Sequence, residues 1–313
     1  MQKGKRKMQK ILAIVGPTAI GKTSTAINLA TELNAEIISG DSMQIYREVK
    51  VGTAKPTSEE QALIKHYLVD VQSVYEPYSV KDFVDQAQQA VSEIAHKNKL
   101  SILVGGTGFY VNALLNRMQL GEVNEHKQAV DDYWQSYLDK NGEAALWQEL
   151  AKQDQVTASK IPVTNSRRVL RALTVIKRTG KKFSEQQTQI KPRYDYLIFG
   201  LNSDRQEIYH RIDLRVDQMM DAGLLDEARF IYDNRQKEYQ VLQAIGYKEF
   251  FPYFEGNKEL DDCVKDLKTA SRRYAKRQLT YFRHQLPITW VDPLNDPDYL
   301  IKMKQKAEEW LNE

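Results

Sequence analysis

The feature that most constrains this chain is a glycine-rich loop between an apolar segment and an amphipathic segment near the N-terminus. Residues 11–15 are continuously apolar, and residues 16–23 have the sequence GPTAIGKT, which fits the pattern G-x-x-x-x-G-K-[ST]. An apolar-periodic stretch follows as far as Leu33. A strand that leads through such a loop into a helix directs backbone N–H groups and the positive helix end at one anion. The segment therefore predicts a diphosphate or triphosphate site, the alternative being a plain glycine turn.

The side chains of this loop have predicted roles of their own. Lys22 supplies a mobile positive charge for the outer phosphate, and the hydroxyl of Thr23 is placed to bind Mg²⁺. We expect the whole loop to surround the phosphates. The predicted diphosphate-binding residues are Gly16, Pro17, Thr18, Ala19, Ile20, Gly21, Lys22 and Thr23.

The chain lacks an acidic residue where a phosphoryl-transfer enzyme would need one. Nucleotide hydrolases and kinases usually hold the metal ion with an acid that follows an apolar strand. The best such strand, Leu100 to Val104, continues into Gly105-Gly-Thr-Gly108 instead. The nearest acid in the polar loops is Asp41, after the preceding strand candidate. This arrangement favours a site that grips a diphosphate and moves a group attached to it.

Strand and helix patterns alternate through the first hundred residues. Strand candidates lie at 11–15, 36–39 and 100–104, and helical periodicity separates them. This spacing predicts βαβ units and an α/β fold, a phosphate-loop NTPase-like parallel sheet flanked by helices. Ligands bind at the carboxyl ends of the strands in such sheets. The polar loops expected there are 16–23, 40–44 and 105–108.

Between residues 118 and 193 the pattern becomes helical. Trp, Tyr and Leu residues recur at helical spacing, which is more typical of a buried core than of base stacking. A helix is expected from Thr164 to Thr179, ended by Gly180. Strand candidates return at 194–201 and 288–292. We therefore predict a core of residues 1–117 and 194–313 with a mostly helical insertion domain at 118–193.

Basic residues are concentrated in three segments although the net charge is only +3. The segments 1–10, 160–193 and 267–283 are rich in Lys and Arg, and Glu185 is their only acidic residue. At helical spacing, some of these residues form two basic stripes, one with Arg167, Arg171 and Arg178 and one with Arg272, Lys276 and Arg283. The segregation favours a polyanionic partner such as nucleic acid, the alternative being solvated helix faces.

Several classes of protein are excluded by simpler features. The longest apolar runs fall well short of the about 18 to 20 residues that cross a bilayer. The basic N-terminal residues precede only five apolar ones, too few for a signal peptide, so a cytoplasmic protein is expected. Cys263 is the single cysteine, which excludes an internal disulfide and a cysteine-cluster zinc site. The five histidines are dispersed without metal-ligand spacing.

Seven short motifs occur in a specific order along the chain. They are residues 16–23, IISGDS at 37–42, GTAKP at 52–56, LVGGTG at 103–108, Arg211 to Arg215, AIGYKE at 244–249 and AKRQLTYFR at 275–283. Together they resemble the tRNA dimethylallyltransferases, which prenylate the adenine on the 3′ side of the anticodon. The resemblance extends from Ile11 to about Asp292 and is least specific in the insertion.

The resemblance implies both a reaction and its catalytic residues. The loop would hold dimethylallyl diphosphate with Mg²⁺, the dimethylallyl group would move to the exocyclic amine of adenine 37, and pyrophosphate would leave. Asp41 would be the general base, Thr107 would hydrogen-bond the base or the leaving oxygen, and Arg215 would stabilise the leaving group. The residues themselves leave alternatives open: helix capping or water-mediated metal contact for Asp41, a turn contact for Thr107, and an exposed ion pair with Asp213 or Asp217 for Arg215.

The tRNA anticodon stem-loop is the implied partner. Its target adenine must leave the base stack to reach a buried diphosphate. The resemblance implies tRNA contacts at 41–44 and 165–169, to which the basic stripes add four positions. The expected tRNA-binding residues are Asp41, Ser42, Met43, Gln44, Asn165, Ser166, Arg167, Arg168, Val169, Arg171, Arg272, Lys276 and Arg283.

Three other functions remain open from the sequence. A prenyltransferase for free adenine nucleotides would not need the basic segments. A small-molecule kinase would move the terminal phosphate of ATP, and a nucleotide-switched RNA-binding protein would perform no prenyl transfer. No membrane association is expected, and we expect a monomer.

Overall fold

Two compact units make up the structure, a computed structural model that describes residues 8–118, 125–185, 191–236 and 240–313. The first unit comprises Met1–Arg117 and Pro192–Glu313, and the second comprises Met118–Lys191. The basic residues before Met8 lie outside the described part. Across the described ranges, each helix falls short of the length and apolar character that crossing a membrane requires.

The first unit is built around a six-stranded, entirely parallel sheet. The strands are β1 Lys10–Val15, β2 Ala35–Ser39, β3 His66–Tyr67, β4 Leu100–Gly105, β5 Asp195–Leu201 and β6 Thr289–Val291. Their order in the sheet is β3-β2-β4-β1-β5-β6, so the α/β fold predicted from the sequence is confirmed. β1 occupies the interior, with Val15 level with Gly105 of β4 and Gly200 of β5. The two-residue β3 was not predicted.

Helices cover both faces of the sheet, which explains why β1 is a continuous apolar run rather than an alternating one. Ile11 to Val15 are fully buried. The helices of this unit are α1 Lys22–Glu32, α2 Ser58–Leu63, α3 Val80–His96, α4 Gly108–Leu115, α8 Arg205–Asp221, α9 Leu224–Asp233, α10 Phe251–Phe254, α11 Leu260–Gln285 and α12 Tyr299–Asn312. Those of the second unit are α5 Glu125–Gln153, α6 Gln155–Ala158 and α7 Ser166–Thr179.

A buried carboxylate ties three strands at one edge of the sheet. Glu36 of β2 pairs with Lys97 at 2.9 Å and Lys99 at 3.0 Å, both just before β4. The hydroxyl of Tyr67 on β3 donates to the same carboxylate at 2.9 Å. Burial opposes ionisation, but these three partners outweigh it and lower the pKa of Glu36 to about 2. The ionised carboxylate therefore stabilises the β3-β2-β4 edge.

The second unit is helical, and its aromatic and aliphatic side chains form a small core of their own. Trp134, Leu146 and Leu173 are buried there, as expected from their spacing. α5 is interrupted at Gly142, where φ is 80°. α7 begins two residues later than predicted, with Asn165 as its N-cap. It ends at Gly180, whose φ of 66° confirms the expected left-handed C-cap.

Candidate functional site

A cleft of about 750 Å³ opens at the carboxyl edge of the sheet. The phosphate loop and residues 41–44 line it, as expected for polar loops at the strand ends. Residues 52–54, 243–246 and part of α8 and α11 complete the walls. All of these elements belong to the first unit. The sheet thus brings together segments that are more than two hundred residues apart in sequence.

Five of the eight predicted phosphate-loop residues face the cleft. They are Thr18, Ala19, Gly21, Lys22 and Thr23. Gly16, Pro17 and Ile20 are buried behind the loop. The buried side chains of Pro17 and Ile20 therefore shape the loop, and a ligand can meet the five cleft-lining residues and the loop backbone.

The loop is held open by polar contacts to its backbone. The Arg211 guanidinium donates through Nε to the carbonyl oxygen of Ala19 at 2.8 Å, and Ala19 has a left-handed φ of 64°. Lys22 Nζ donates to the carbonyl oxygen of Pro17 at 2.7 Å. Thr23 lies in the first turn of α1, where free N–H groups favour an anion. The geometry is that of an anion cradle.

Lys22, Arg215 and Asp41 interact electrostatically inside the cleft. Burial, and then the charge of Arg215, lower the pKa of the Lys22 ammonium to about 8, while the charge of Asp41 opposes both. Burial also lowers the pKa of Arg215, again opposed by Asp41. Two enclosed cations that repel each other favour an anionic ligand between them. The charges of the cleft therefore suit an anion such as a diphosphate.

Arg215 does not form the exposed ion pair that the sequence left open. Asp213 instead pairs with Arg272 at 2.6 Å, and Asp217 pairs with Lys268 at 2.6 Å. Both partners lie on α11, so the two carboxylates hold α8 against α11. Arg215 is consequently left to line the cleft.

Thr107 binds the loop that carries Asp41, although it is not among the residues that line the cleft. Thr107 Oγ1 accepts a hydrogen bond from the Ser42 backbone at 3.1 Å and donates to Ser42 Oγ at 3.2 Å. Asp41 Oδ1 accepts from the Met43 backbone at 2.9 Å, which fixes the carboxylate in a short turn. Burial and then the charge of Asp41 raise the pKa of Tyr274 to about 12, so this phenol stays protonated beside the carboxylate.

Gln44 has a structural contact that its predicted RNA role did not include. Its Oε1 accepts from the Ser39 hydroxyl at 2.9 Å. Its Nε2 donates to the carbonyl oxygens of Thr53 and Ala54 at 3.4 and 3.1 Å. The amide therefore connects the loop that carries Asp41 to the next wall of the cleft.

Sequence reasoning missed Gln278, which joins the phosphate loop to the loop after β4. Gln278 is 5% exposed, accepts from the Thr18 backbone N–H at 3.1 Å and donates to the Gly106 carbonyl at 3.0 Å. A signal was present, because Ala275, Gln278 and Phe282 share the apolar face of α11 at helical spacing. A polar residue on such a face requires hydrogen-bond partners, which the basic residues of this segment do not indicate.

The remaining predicted RNA contacts of the first unit differ in their surroundings. Ser42 and Met43 line the cleft beside Asp41. Arg272 is engaged with Asp213, whereas Lys276 and Arg283 are exposed. The Arg283 guanidinium lies 5.7 Å from the ring centre of Trp290.

In the second unit, α7 presents a basic face and buries the other. Arg167, Arg168, Arg171 and Arg178 are exposed. Val169 is fully buried in the core, so its side chain packs inside the unit. Asn165 caps the helix through the Arg168 backbone N–H at 3.3 Å, and Ser166 donates to Glu143 at 2.5 Å.

Within the described ranges, no cluster of three or more His, Cys, Asp or Glu residues could hold a metal ion. Thr23 is the hydroxyl at the loop-to-helix junction that a phosphate-bound cation would meet. Mg²⁺ keeps several waters and takes few protein ligands when phosphate oxygens supply the others. A single hydroxyl beside an anion cradle therefore fits that ion.

Comparisons with known proteins show which family this chain is similar to. The family described as IPP transferase matches residues 44–285. The tRNA dimethylallyltransferase of Lactobacillus acidophilus is 70% identical over 97% of this chain and 100% of its own length. The full-length tRNA isopentenylpyrophosphate transferase of Bacillus halodurans is 41% identical, with a TM-score of 0.73 over 97% of each chain. A eukaryotic dimethylallyltransferase acting on tRNA is 28% identical, with a TM-score of 0.80 over 97% of this chain and 80% of that one.

Proposed function

This chain belongs to the IPP transferase family, and we propose that its cleft transfers a dimethylallyl group from dimethylallyl diphosphate to a tRNA adenine. The acceptor is the exocyclic amine of the adenine 3′ of the anticodon, position 37. The products are isopentenyladenosine and pyrophosphate. The observation that carries the proposal is the enclosure of Lys22, Arg215 and Asp41 in one cleft at the phosphate loop.

The cations of the cleft serve the leaving group. As the allylic C–O bond breaks, negative charge grows on the pyrophosphate oxygens. Lys22, Arg215 and the loop N–H groups stabilise that charge more strongly in the transition state than in the bound substrate. The anion also raises the pKa of Lys22, which keeps the ammonium protonated during the reaction.

Asp41 serves the nucleophile. The exocyclic amine forms a bond to the allylic carbon and must lose a proton, which Asp41 accepts as general base. The bond from the Met43 backbone uses Oδ1 and orients the carboxylate. Thr107 contacts the adjacent residue Ser42, and Tyr274 lies close enough to Asp41 to feel its charge. Both would supply hydroxyls for the base or the leaving oxygen.

We propose that Mg²⁺ accompanies the diphosphate in the cleft. Thr23 and the phosphate oxygens would hold it, and it would add positive charge on the leaving-group side. The three protein steps are unchanged by its presence: the loop binds the diphosphate, Arg215 and Lys22 neutralise it, and Asp41 removes the proton.

The basic face of α7 supplies contacts to the RNA backbone. Phosphate contacts position a nucleic acid without reading its sequence. They also offset the cost of moving the target adenine out of the loop stack, on the order of a few kcal/mol. We propose that Arg167, Arg168 and Arg171 make such contacts. We further propose that the protein acts as a monomer in the cytoplasm.

A transfer assay tests the function directly. The protein is incubated with radiolabelled dimethylallyl diphosphate, Mg²⁺ and unmodified tRNA, with AMP as a second acceptor in a parallel reaction. We expect label in the tRNA at the adenine 3′ of the anticodon. Label in AMP alone would support a free-nucleotide prenyltransferase, and RNA binding without consumption of the diphosphate would support a binding protein.

The Asp41→Asn variant separates chemistry from binding. It keeps the size of the side chain and removes the base, so transfer should fall by about a hundredfold or more. Its tRNA affinity should stay within a few-fold of wild type. Normal turnover would remove Asp41 as the general base while leaving the diphosphate site in place.

A further inference from the structure

A second carboxylate, remote from the reacting groups, holds one wall of the cleft. Glu227 lies in the first turn of α9. Its carboxylate accepts hydrogen bonds from three consecutive backbone N–H groups, those of Lys50 at 2.5 Å, Val51 at 3.0 Å and Gly52 at 2.8 Å. The Tyr247 hydroxyl donates to the same carboxylate at 2.8 Å. These four donors match the four acceptor sites of a carboxylate. The Glu227 carboxylate therefore binds the N–H groups of residues 50–52 in the way that a bound anion would.

Tyr247 makes this clamp rigid. It is 1% exposed, and burial together with the Glu227 charge raises the pKa of its hydroxyl, which therefore stays a donor. Gly52 lies against the tyrosine ring, where an added Cβ would come within 2.9 Å of a ring carbon. The loop thus cannot move toward the ring without a clash.

The clamp is linked to Asp41 through one side chain. Thr53 and Ala54 follow the clamped residues and line the cleft, and their carbonyl oxygens accept hydrogen bonds from Gln44. Gln44 belongs to the same short loop as Asp41. The phosphate loop is held separately, by Arg211 and Gln278.

We propose that Glu227, together with Tyr247, is a positioning residue for prenyl transfer. It fixes residues 50–54, and through Gln44 it sets the orientation of the Asp41 loop toward the incoming nucleobase. This inference rests on the proposed function, because a nucleobase must be aligned at Asp41. Since the clamp does not contact the phosphate loop, its loss should slow transfer without weakening diphosphate binding.

Two variants weaken the clamp with little change in volume. In Glu227→Gln, the new NH₂ group faces backbone donors that it cannot accept from. In Tyr247→Phe, only the hydroxyl is lost. Asp233→Asn is the matched control, since Asp233 is exposed on the same helix and pairs with Arg229 of that helix at 3.0 Å.

Three measurements are made on each full-length protein: the single-turnover rate of RNA prenylation, the dissociation constant of pyrophosphate with Mg²⁺, and amide hydrogen exchange at residues 50–54. Both clamp variants should lose at least about tenfold in rate, because small misplacements of catalytic groups cost about that much or more. Pyrophosphate affinity should stay within about twofold. Exchange should accelerate at 50–54 but not at 16–23, and the control should match wild type.

Unchanged rates in both variants would overturn the positioning role. Equal losses of rate and pyrophosphate affinity would also overturn it, because they indicate general loss of structure. If a variant transfers too slowly to measure, hydrogen exchange decides, and protection at 50–54 equal to that of wild type refutes the clamp. Failure of the wild-type protein to prenylate RNA would refute the proposed function instead.

Discussion

Replacing Gln278 by leucine tests whether one buried amide joins the two loops that meet at the diphosphate. The change removes an acceptor for the Thr18 N–H at 3.1 Å and a donor to the Gly106 carbonyl at 3.0 Å. Leucine fills a similar volume, so the loss is mainly one of hydrogen bonds. A buried donor or acceptor left without a partner costs about 1 to 3 kcal/mol.

The expected magnitude follows from the position of these groups. Two unpaired groups beside an open cleft are partly reached by water, so we expect a loss of about 2 to 3 kcal/mol in unfolding free energy. For a unit of this size the melting temperature should fall by about 5 to 10 °C. The freed phosphate loop should bind pyrophosphate about tenfold more weakly, a change of about 1.4 kcal/mol.

Thermal unfolding and pyrophosphate inhibition of transfer are the assays. Gln278→Glu should still accept from Thr18, but it cannot donate to Gly106 when ionised and it adds a negative charge near the diphosphate. It should therefore weaken pyrophosphate binding at least as much as leucine does. Gln285→Leu, at the exposed end of the same helix, is the control and should match wild type. A Gln278→Leu protein with wild-type melting and inhibition would refute the bridging role.

Further predictions concern charge. Lys22→Ala and Arg215→Ala should each raise the inhibition constant of pyrophosphate by about tenfold or more, and unchanged constants would remove them from the site. Neutralising Arg167 and Arg171 to Gln should reduce the dependence of tRNA affinity on salt concentration by about 0.7 to 0.9 in logarithmic slope per lost phosphate contact, whereas an unchanged slope would place the RNA elsewhere. Because the pKa of Glu36 is lowered to about 2, its ionised carboxylate should contribute about 3 kcal/mol of stability that is present above about pH 5 and more than half lost by pH 3. Urea unfolding of wild type and Glu36→Gln across this pH range measures the contribution, and a difference in unfolding free energy that does not change with pH would refute it.

The sheet was predictable because its strands are buried on both faces. A continuous apolar run such as residues 11–15 can be recognised as a buried strand from the local sequence alone, and the helices between the strands show a helical periodicity of apolar residues. β3 was not predicted, because two residues are too few to show a strand periodicity. The family resemblance drawn from the ordered motifs is confirmed by the match over residues 44–285 and by relatives that span the chain.

The supporting contacts of the site were not predictable, because they join residues that are distant in sequence. Glu227 and Gly52 are 175 positions apart, and Gln278 and Gly106 are 172 apart. Local patterns indicate which residue types can bind phosphate, yet they do not show which buried amide or carboxylate will hold a loop in place. Arg272 illustrates the limit, since its helical stripe suggested RNA while the fold pairs it with Asp213.

The same packing explains why the site lacks the acid of a phosphoryl-transfer enzyme. That acid would stand at the end of β4, but a Cβ at Gly105 would lie 2.3 Å from the Gly40 carbonyl oxygen. At Gly106 it would lie 2.2 Å from the Gln278 amide nitrogen. A side chain at Gly105 is therefore excluded by backbone, and one at Gly106 would have to displace the Gln278 amide from its hydrogen bonds. The acid of the neighbouring loop, Asp41, follows β2, one strand further from β1 in the sheet. Close packing at the end of β4 therefore disfavours the metal-holding acid that phosphoryl transfer requires, so the same contacts that join the two loops argue against attack at phosphorus.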